Sequence, residues 1–229
     1  MLNGHYNLPI GAYIGFPLRL TDGHLFGTLC AIHPEPVAET IHQEQDLLAT
    51  MACLLATLLE AELQRSAQTR RIEQAEAEAL SDDLTGLYNR RGWNRLLRQE
   101  EVRCQQLGHS ATIFVIDMDD LKKTNDAIGH AAGDALLQKT AAILKHTLRD
   151  HDVVARTGGD EFAVLGIEVG NQDALLLQER LEQAMTSAQI SCSVGYAVRH
   201  PSAGLEAAWL EADRTMYQQK ASRKQAQNF

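Results

Sequence analysis

Two apolar runs stand near the start of the chain, Ala12-Tyr13-Ile14-Gly15-Phe16 and Leu25-Phe26-Gly27-Thr28-Leu29-Cys30-Ala31-Ile32, with Thr21-Asp22-Gly23-His24 between them. Asp-Gly between apolar runs is a hairpin signal, so paired strands are predicted here. Two strands alone are marginal in water, so this segment needs partners from further sequence or from another chain. Pro34 and Pro36 close it, and from Val37 to Thr85 there is neither Gly nor Pro. Thr40 followed by Gln43 forms a capping-box pattern that starts a helix at Thr40. Leu47, Met51, Leu54 and Leu58 then recur at heptad-like spacing, widened by Leu48, Leu55 and Leu59 and continued weakly by Ile72, Ala75 and Ala79. Unbroken to Leu80, this helix would be ~60 Å long. It either lies on the surface of its own domain or pairs in parallel with a second copy; the heptad and the cap favour the pair.

After Leu80 the pattern becomes compact. It predicts a helix over about Asn89 to Leu107, a strand over Ala111 to Asp117, and helices over about Asp119 to Ala127 and Ala132 to Thr147. A hairpin from Val153 to Ile167, a helix from Asp173 to Ser187, a strand from Ile190 to Val198 and a helix from Leu205 to Lys220 follow. Irregular alternation with one clear hairpin suits an α+β fold with helices on the sheet faces. The polar tail Ser222 to Phe229 is expected to fray.

Composition narrows the function classes. The 229 residues include 30 acidic and 21 basic side chains, a net charge of −9, with 45% hydrophobic residues. That hydrophobic content builds a core, and the charge argues against nucleic acid as a partner. Cys30, Cys53, Cys104 and Cys192 are scattered without metal-ligand spacing and are expected as buried thiols of a reducing compartment. The first basic residue is Arg19, so the charged start of a signal peptide is absent, and the uncharged run Leu47 to Leu59 is too short to span a membrane. These features point to the cytoplasm.

Candidate chemistry gathers at two places. The apolar strand Thr112-Ile113-Phe114-Val115-Ile116 runs into Asp117-Met118-Asp119-Asp120, placing carboxylates at a sheet edge. The predicted turn Arg156-Thr157-Gly158-Gly159-Asp160-Glu161-Phe162 adds two more beside a Gly-Gly that lets backbone approach a phosphate. Such acids are either solvated turns or a hard oxygen site for Mg²⁺ with substrate phosphates; spacing alone leaves both open. Asp117 and Asp160 are both expected in turns, outside the core.

Gly158-Gly159-Asp160-Glu161-Phe162 spells GGDEF, and here the chain resembles the diguanylate cyclase family. The likeness extends to Asp83-Leu84-Thr85-Gly86-Leu87-Tyr88-Asn89-Arg90-Arg91 and to Asp117 through Asp126 with Gly129-His130 and Gly133-Asp134. Ser193-Val194-Gly195 and the stretch from Ala212-Asp213 to Lys220 complete it, so that it covers roughly Ser81 to Lys224. The resemblance implies a palm-like α+β fold, akin to nucleotidyl cyclases and polymerases, that condenses two GTP into cyclic di-GMP and two pyrophosphates. It implies that Asp117, the Met118 carbonyl and Asp160 hold two Mg²⁺ per half-site, with Mn²⁺ as an alternative. Asp160 matches the proton acceptor, with Glu161 beside it, and Lys122 matches a phosphate contact. Asn125 and Asp134, with His130 nearby, match the guanine-binding pair, although the same residues would also serve as helix caps. Arg149-Asp150-His151-Asp152 matches the Arg-x-x-Asp site at which the product inhibits, Arg149 and Asp152 being its ligands; a surface ion pair is the plain alternative.

Two departures stand out. Lys220 matches the family's phosphate site, but Arg223-Lys224 replaces its Gly-Arg, and Lys224 cannot form a bidentate fork. The stretch from Phe162 to Cys192 is short for the family, which bears on secondary product contacts from the helix Asp173 to Ser187. Gly11 to Leu63 resembles the closing part of a GAF domain, through Gly11-Ala12-Tyr13-Ile14-Gly15, Pro17-Leu18 and Gly27-Thr28-Leu29-Cys30, without that domain's opening strands. The expected layout is therefore GAF-like strands over 1–39, a signalling and dimerisation helix over 40–80 and a catalytic domain over 81–229, assembled as a homodimer with no membrane span.

Overall fold

A computed structural model describes residues 10–36 and 45–226. The chain divides into two compact units, Met1–Gln74 and Ala75–Phe229. In the first, β1 (Ala12–Arg19) and β2 (Leu25–His33) form the predicted antiparallel hairpin, with Gly15 opposite Cys30 and a bulge between Leu18 and Arg19. Exposure alternates along β1, so the ribbon has two unlike faces. Helix α1 (Gln45–Leu80) runs without interruption as its sequence predicts; the expected start at Thr40 lies outside the described residues. Its buried residues are Ala52 and Ala56, while Leu47, Met51, Leu54 and Leu58 remain exposed, Leu58 to 68%. These four side chains form an open apolar stripe on the single chain.

The second unit is a four-stranded antiparallel sheet in the order β4-β5-β3-β6, comprising β3 (Ala111–Met118), β4 (Val153–Arg156), β5 (Glu161–Ile167) and β6 (Cys192–Val198). Every residue of β3 is buried, as its unbroken apolar run requires of a central strand covered on both faces. Phe114, Ile116 and Met118 point into one layer with Leu137, Leu144 and Leu181, supplied by α4 (His130–Thr147) and α5 (Asn171–Ser187). Ile113 and Val115 point into the other with Trp93, Leu205, Ala212 and Met216, supplied by α2 (Arg90–Leu107) and α6 (Gly204–Ala226). Asn89 caps α2, its side chain accepting from the Gly92 N–H at 3.0 Å. The short α3 (Leu121–Ile128) follows β3 directly.

Several expectations are corrected. Helix α6 does not end at Lys220 but continues to Ala226, because Arg223 is held by the Cys192 carbonyl and lies 3.7 Å from the Asp119 carboxylate; the remainder of the expected tail, 227–229, lies outside the described residues. The last strand begins at Cys192 and not at Ile190, since the turn after α5 passes through Gln189 at φ +60° and ties the Ile190 N–H to the Met185 carbonyl at 2.9 Å. Cys104 and Cys192 are buried as expected, but Cys30 and Cys53 are exposed, because each falls on an outward position of its strand or helix. Among the described residues no helix is long and apolar enough to cross a membrane.

Candidate active site

The strand register decides the site. Asp117 of β3 lies directly opposite Glu161 of β5, on the sheet face covered by α2 and α6. Direct cross-strand partners have Cβ atoms roughly 5 Å apart, and like charges there repel. Asp160 joins them through the backbone, where the Met118 N–H donates to the Asp160 carbonyl at 3.1 Å. Burial, reinforced by the charges of Asp160 and Asp119 and opposed by Lys220, pushes the Asp117 carboxyl above the usual carboxylate range. Burial, then Asp117, Asp160 and Asp213, does the same to Glu161, with Arg90 offsetting it in part. Asp117 is only 7% exposed and belongs to the strand, which corrects its expected place in a turn; Asp160 does occupy the turn.

A cation already answers this excess charge. Lys220 of α6 donates to the Asp117 carboxylate, and burial of its ammonium is outweighed by that contact. The helix reaches so far because Gly195 lets it lie on β6: a Cβ there would stand 2.1 Å from the Met216 nitrogen and 2.2 Å from the Ala212 carbonyl oxygen. Asp119 is held differently, accepting from Ser191 Oγ at 2.8 Å and Ser193 Oγ at 3.0 Å beside Arg223. Among the described residues no three His, Cys, Asp or Glu side chains form a ready metal cage. The expected set of two carboxylates and one carbonyl fits a hard cation that keeps open positions for water or phosphate, as Mg²⁺ does.

The turn carrying Asp160 is braced from outside. Arg156 donates from Nη2 and Nε to the Gly159 carbonyl at 2.8 and 3.2 Å, and from Nη1 to both Asp82 oxygens at 3.3 Å. Burial acts on Asp82 most, yet the Thr85 hydrogen bonds and Arg156 hold its carboxyl below the ordinary range. Neither role was legible in sequence, because 74 residues separate the two partners. Arg223, known from the sequence only as part of the departure Arg223-Lys224, takes a place beside Asp119 that its spacing of one helical turn from Lys220 signalled.

The remaining expected residues fall in three places. Asn125 and Asp134 belong to adjacent helices pressed together at Gly133, where a Cβ would stand 1.9 Å from Asn125 Oδ1. Neither is a cap: Asn125 lies in the last turn of α3, its Oδ1 buried without a hydrogen-bond partner among the described residues, and Asp134 lies inside α4. His130 opens α4 and Lys122 lies in the first turn of α3, both exposed. Lys224 lies on α6, its side chain outside the described residues. Arg149 and Asp152 line a separate cleft of about 670 Å³ with Tyr88 and Lys145. They do not form the plain ion pair; the Asp152 carboxylate accepts from the Arg149 and Ile167 N–H groups at 3.1 and 3.2 Å.

Residues 79–226 match the family described as diguanylate cyclase, GGDEF domain. The chain belongs to the GGDEF-domain diguanylate cyclase family. It is 34% identical over 181 residues to the diguanylate cyclase DgcP of Escherichia coli, covering 77% of this chain and 52% of that protein. The chain thus spans about half the length of that relative. Among solved structures, the coiled coil and GGDEF domain of DgcB from Caulobacter crescentus, in complex with c-di-GMP, superposes with a TM-score of 0.67 at 24% identity, covering 74% of this chain and 95% of that one. The diguanylate cyclase SiaD of Pseudomonas aeruginosa, in complex with its activator SiaC, gives 0.61 at 27% identity over 80% of this chain and 76% of that one. The palm-like α+β fold of the GGDEF family is therefore shared.

Proposed function

We propose that this chain is a diguanylate cyclase, condensing two GTP into cyclic di-GMP with release of two pyrophosphates. The observation that carries the reading is the register pair Asp117 and Glu161 with Asp160 beside it, three acids crowded where a cation is required. Asp117, Asp160 and the Met118 carbonyl are the groups that would hold Mg²⁺, two ions per half-site, or Mn²⁺ in its place. When bound, the ion supplies Lewis-acid stabilisation of charge on the phosphate oxygens. In each condensation the 3′-oxygen of one GTP bonds to the α-phosphorus of the other, the bond to the β-phosphate breaks, and pyrophosphate departs. Asp160 accepts the 3′-hydroxyl proton, with Glu161 beside it, and Lys122 meets the charge that grows on the phosphates.

Asn125 and Asp134 read guanine, with His130 at the rim. A carboxylate accepts from N1–H and the exocyclic amine, and an amide donates to O6 or N7, so adenine would leave these groups unpaired. Lys220 and Lys224 take the phosphate tail; for Lys220 this means exchanging Asp117 for phosphate. Arg149 and Asp152 form the site at which the product inhibits, supported by the cleft they share with Lys145.

Each chain carries one guanine pair, whereas the product is two-fold symmetric, so two copies must face each other. The exposed stripe of Leu47, Met51, Leu54 and Leu58 supports a homodimer built on α1. The layout is then GAF-like strands over 1–39, a dimerisation helix over 40–80 and the catalytic domain over 81–229, in the cytoplasm where GTP is supplied. Incubation of the purified chain with GTP and Mg²⁺ followed by chromatography tests the reading. Cyclic di-GMP is expected; GTP bound but unconsumed would instead make the protein a receptor.

A further inference from the structure

Both tryptophans of the chain lie in one cleft that the proposed chemistry leaves unused. The cleft, about 370 Å³, opens between α2 and α6 and is lined by Arg90, Trp93, Arg98, Thr157, Glu206 and Trp209, among others. Trp93 is buried, and Trp209, partly exposed, is tilted 50° against it with ring centroids 5.3 Å apart. Trp209 therefore presents an aromatic surface toward the opening. Glu101 also borders the cleft, but its charge is answered by Arg199 at 2.7 and 2.9 Å and by the Leu205 N–H at 2.7 Å. Arg90 and Arg98 are exposed, and among the described residues neither makes an ion pair. In a chain of net charge −9, this cleft sets two guanidinium groups without an ion pair among the described residues against the carboxylate of Glu206.

At its floor lies Thr157, only 7% exposed, with a hydroxyl that has no hydrogen-bond partner among the described residues. An unpaired buried hydroxyl is costly and calls for a partner. The same residue starts the turn that carries Asp160, its N–H donating to the Glu161 carbonyl at 2.9 Å. We infer that this cleft is a binding site for a small planar aromatic anion, a carboxylate or a phosphate monoester. The ring packs on Trp209, the anion meets Arg98 and Arg90, and a polar ring substituent pairs with Thr157. Aromatic faces with a few convergent polar groups are the usual make-up of a small-molecule site, and this volume is in the usual range. A ligand gripping Thr157 and Arg90 holds the turn from behind, because Arg90 also faces the charge of Glu161.

The test uses the full chain with fluorotryptophan at both positions, read by fluorine NMR, so that its signals report this cleft whether or not the protein makes cyclic di-GMP. Naphthoate and naphthyl phosphate are the probes, with neutral naphthylmethanol and non-aromatic cyclohexanecarboxylate as controls. At least one anionic probe is expected to shift the Trp209 signal saturably, well below the concentrations at which either control acts. Arg98→Ala, a change at an exposed position, should weaken that binding about tenfold, the equivalent of one charge-assisted contact. Thr157→Val, which removes an unpaired hydroxyl and keeps the shape, should leave the naphthyl probes bound but abolish any gain from a hydroxyl on the ring. Failure of both anions to move the Trp209 signal at millimolar concentration overturns the site. So does naphthylmethanol binding as tightly as the anions, or affinity that Arg98→Ala leaves unchanged.

Discussion

Replacing Asp117 with Asn separates the folding role of this carboxylate from its proposed role in holding a cation. At roughly 5 Å from Glu161, and with an effective dielectric constant of about 20, two unit charges repel by about 3 kcal/mol. Lys220 offsets much of this. The balance stays unfavourable, because burial and the neighbouring acids raise the Asp117 carboxyl above its ordinary value despite the lysine. A carboxylate raised in the folded state costs stability above its folded pKa, and the cost fades as pH falls through it. Without metal at neutral pH, Asp117→Asn should therefore stabilise the second unit by about 1 kcal/mol, a melting shift of roughly 2–4 °C. With Mg²⁺ and a non-hydrolysable GTP analogue near a hundredfold above Kd, the unsubstituted chain gains about 2.7 kcal/mol, whereas the variant gains little. The order of stability inverts. Scanning calorimetry in EDTA and in Mg²⁺ with the analogue reads both arms, and cyclic di-GMP formation by the variant should fall at least about a hundredfold. A variant less stable than the unsubstituted chain in EDTA, or one that keeps the full analogue-induced shift, refutes the reasoning.

Three further outcomes are expected. Arg149→Ala should leave the initial velocity intact while weakening product inhibition, read from progress curves with added cyclic di-GMP; unchanged inhibition excludes the assigned site. Arg199 holds Glu101 at about 2 against an ordinary 4.5, so this pair stabilises fully above the ordinary value and loses its effect as pH falls toward 2. Glu101→Gln should thus cost about 1–2 kcal/mol at neutral pH once solvent screening of this partly exposed pair is allowed for, a gap that closes in acid denaturation series. Glu in place of both Leu54 and Leu58 puts unpaired charge into the proposed seam, so sedimentation should show monomer and specific activity should fall steeply on dilution.

The sequence by itself determined the elements whose causes are local. Asp22-Gly23 between apolar runs made the hairpin, the unbroken run Thr112 to Ile116 made a central strand, and Asn89 marked the start of α2. The order of motifs around Gly158 to Phe162 was equally legible, and with it the family. Tertiary structure alone decided which acids meet. Asp117 and Glu161 become neighbours only through the β3–β5 register, and Asp117 is a buried strand residue where a turn was expected, because the strand extends through Met118. Arg156 and Asp82 brace the turn that carries Asp160 across 74 residues, a distance over which no periodicity carries information. Arg223 turns a tail expected to fray into the last turns of α6, because its partners, the Cys192 carbonyl and Asp119, come from other elements. Local patterns are set by backbone geometry within a few residues, whereas contacts between side chains far apart in the chain depend on which faces the sheet and helices bury.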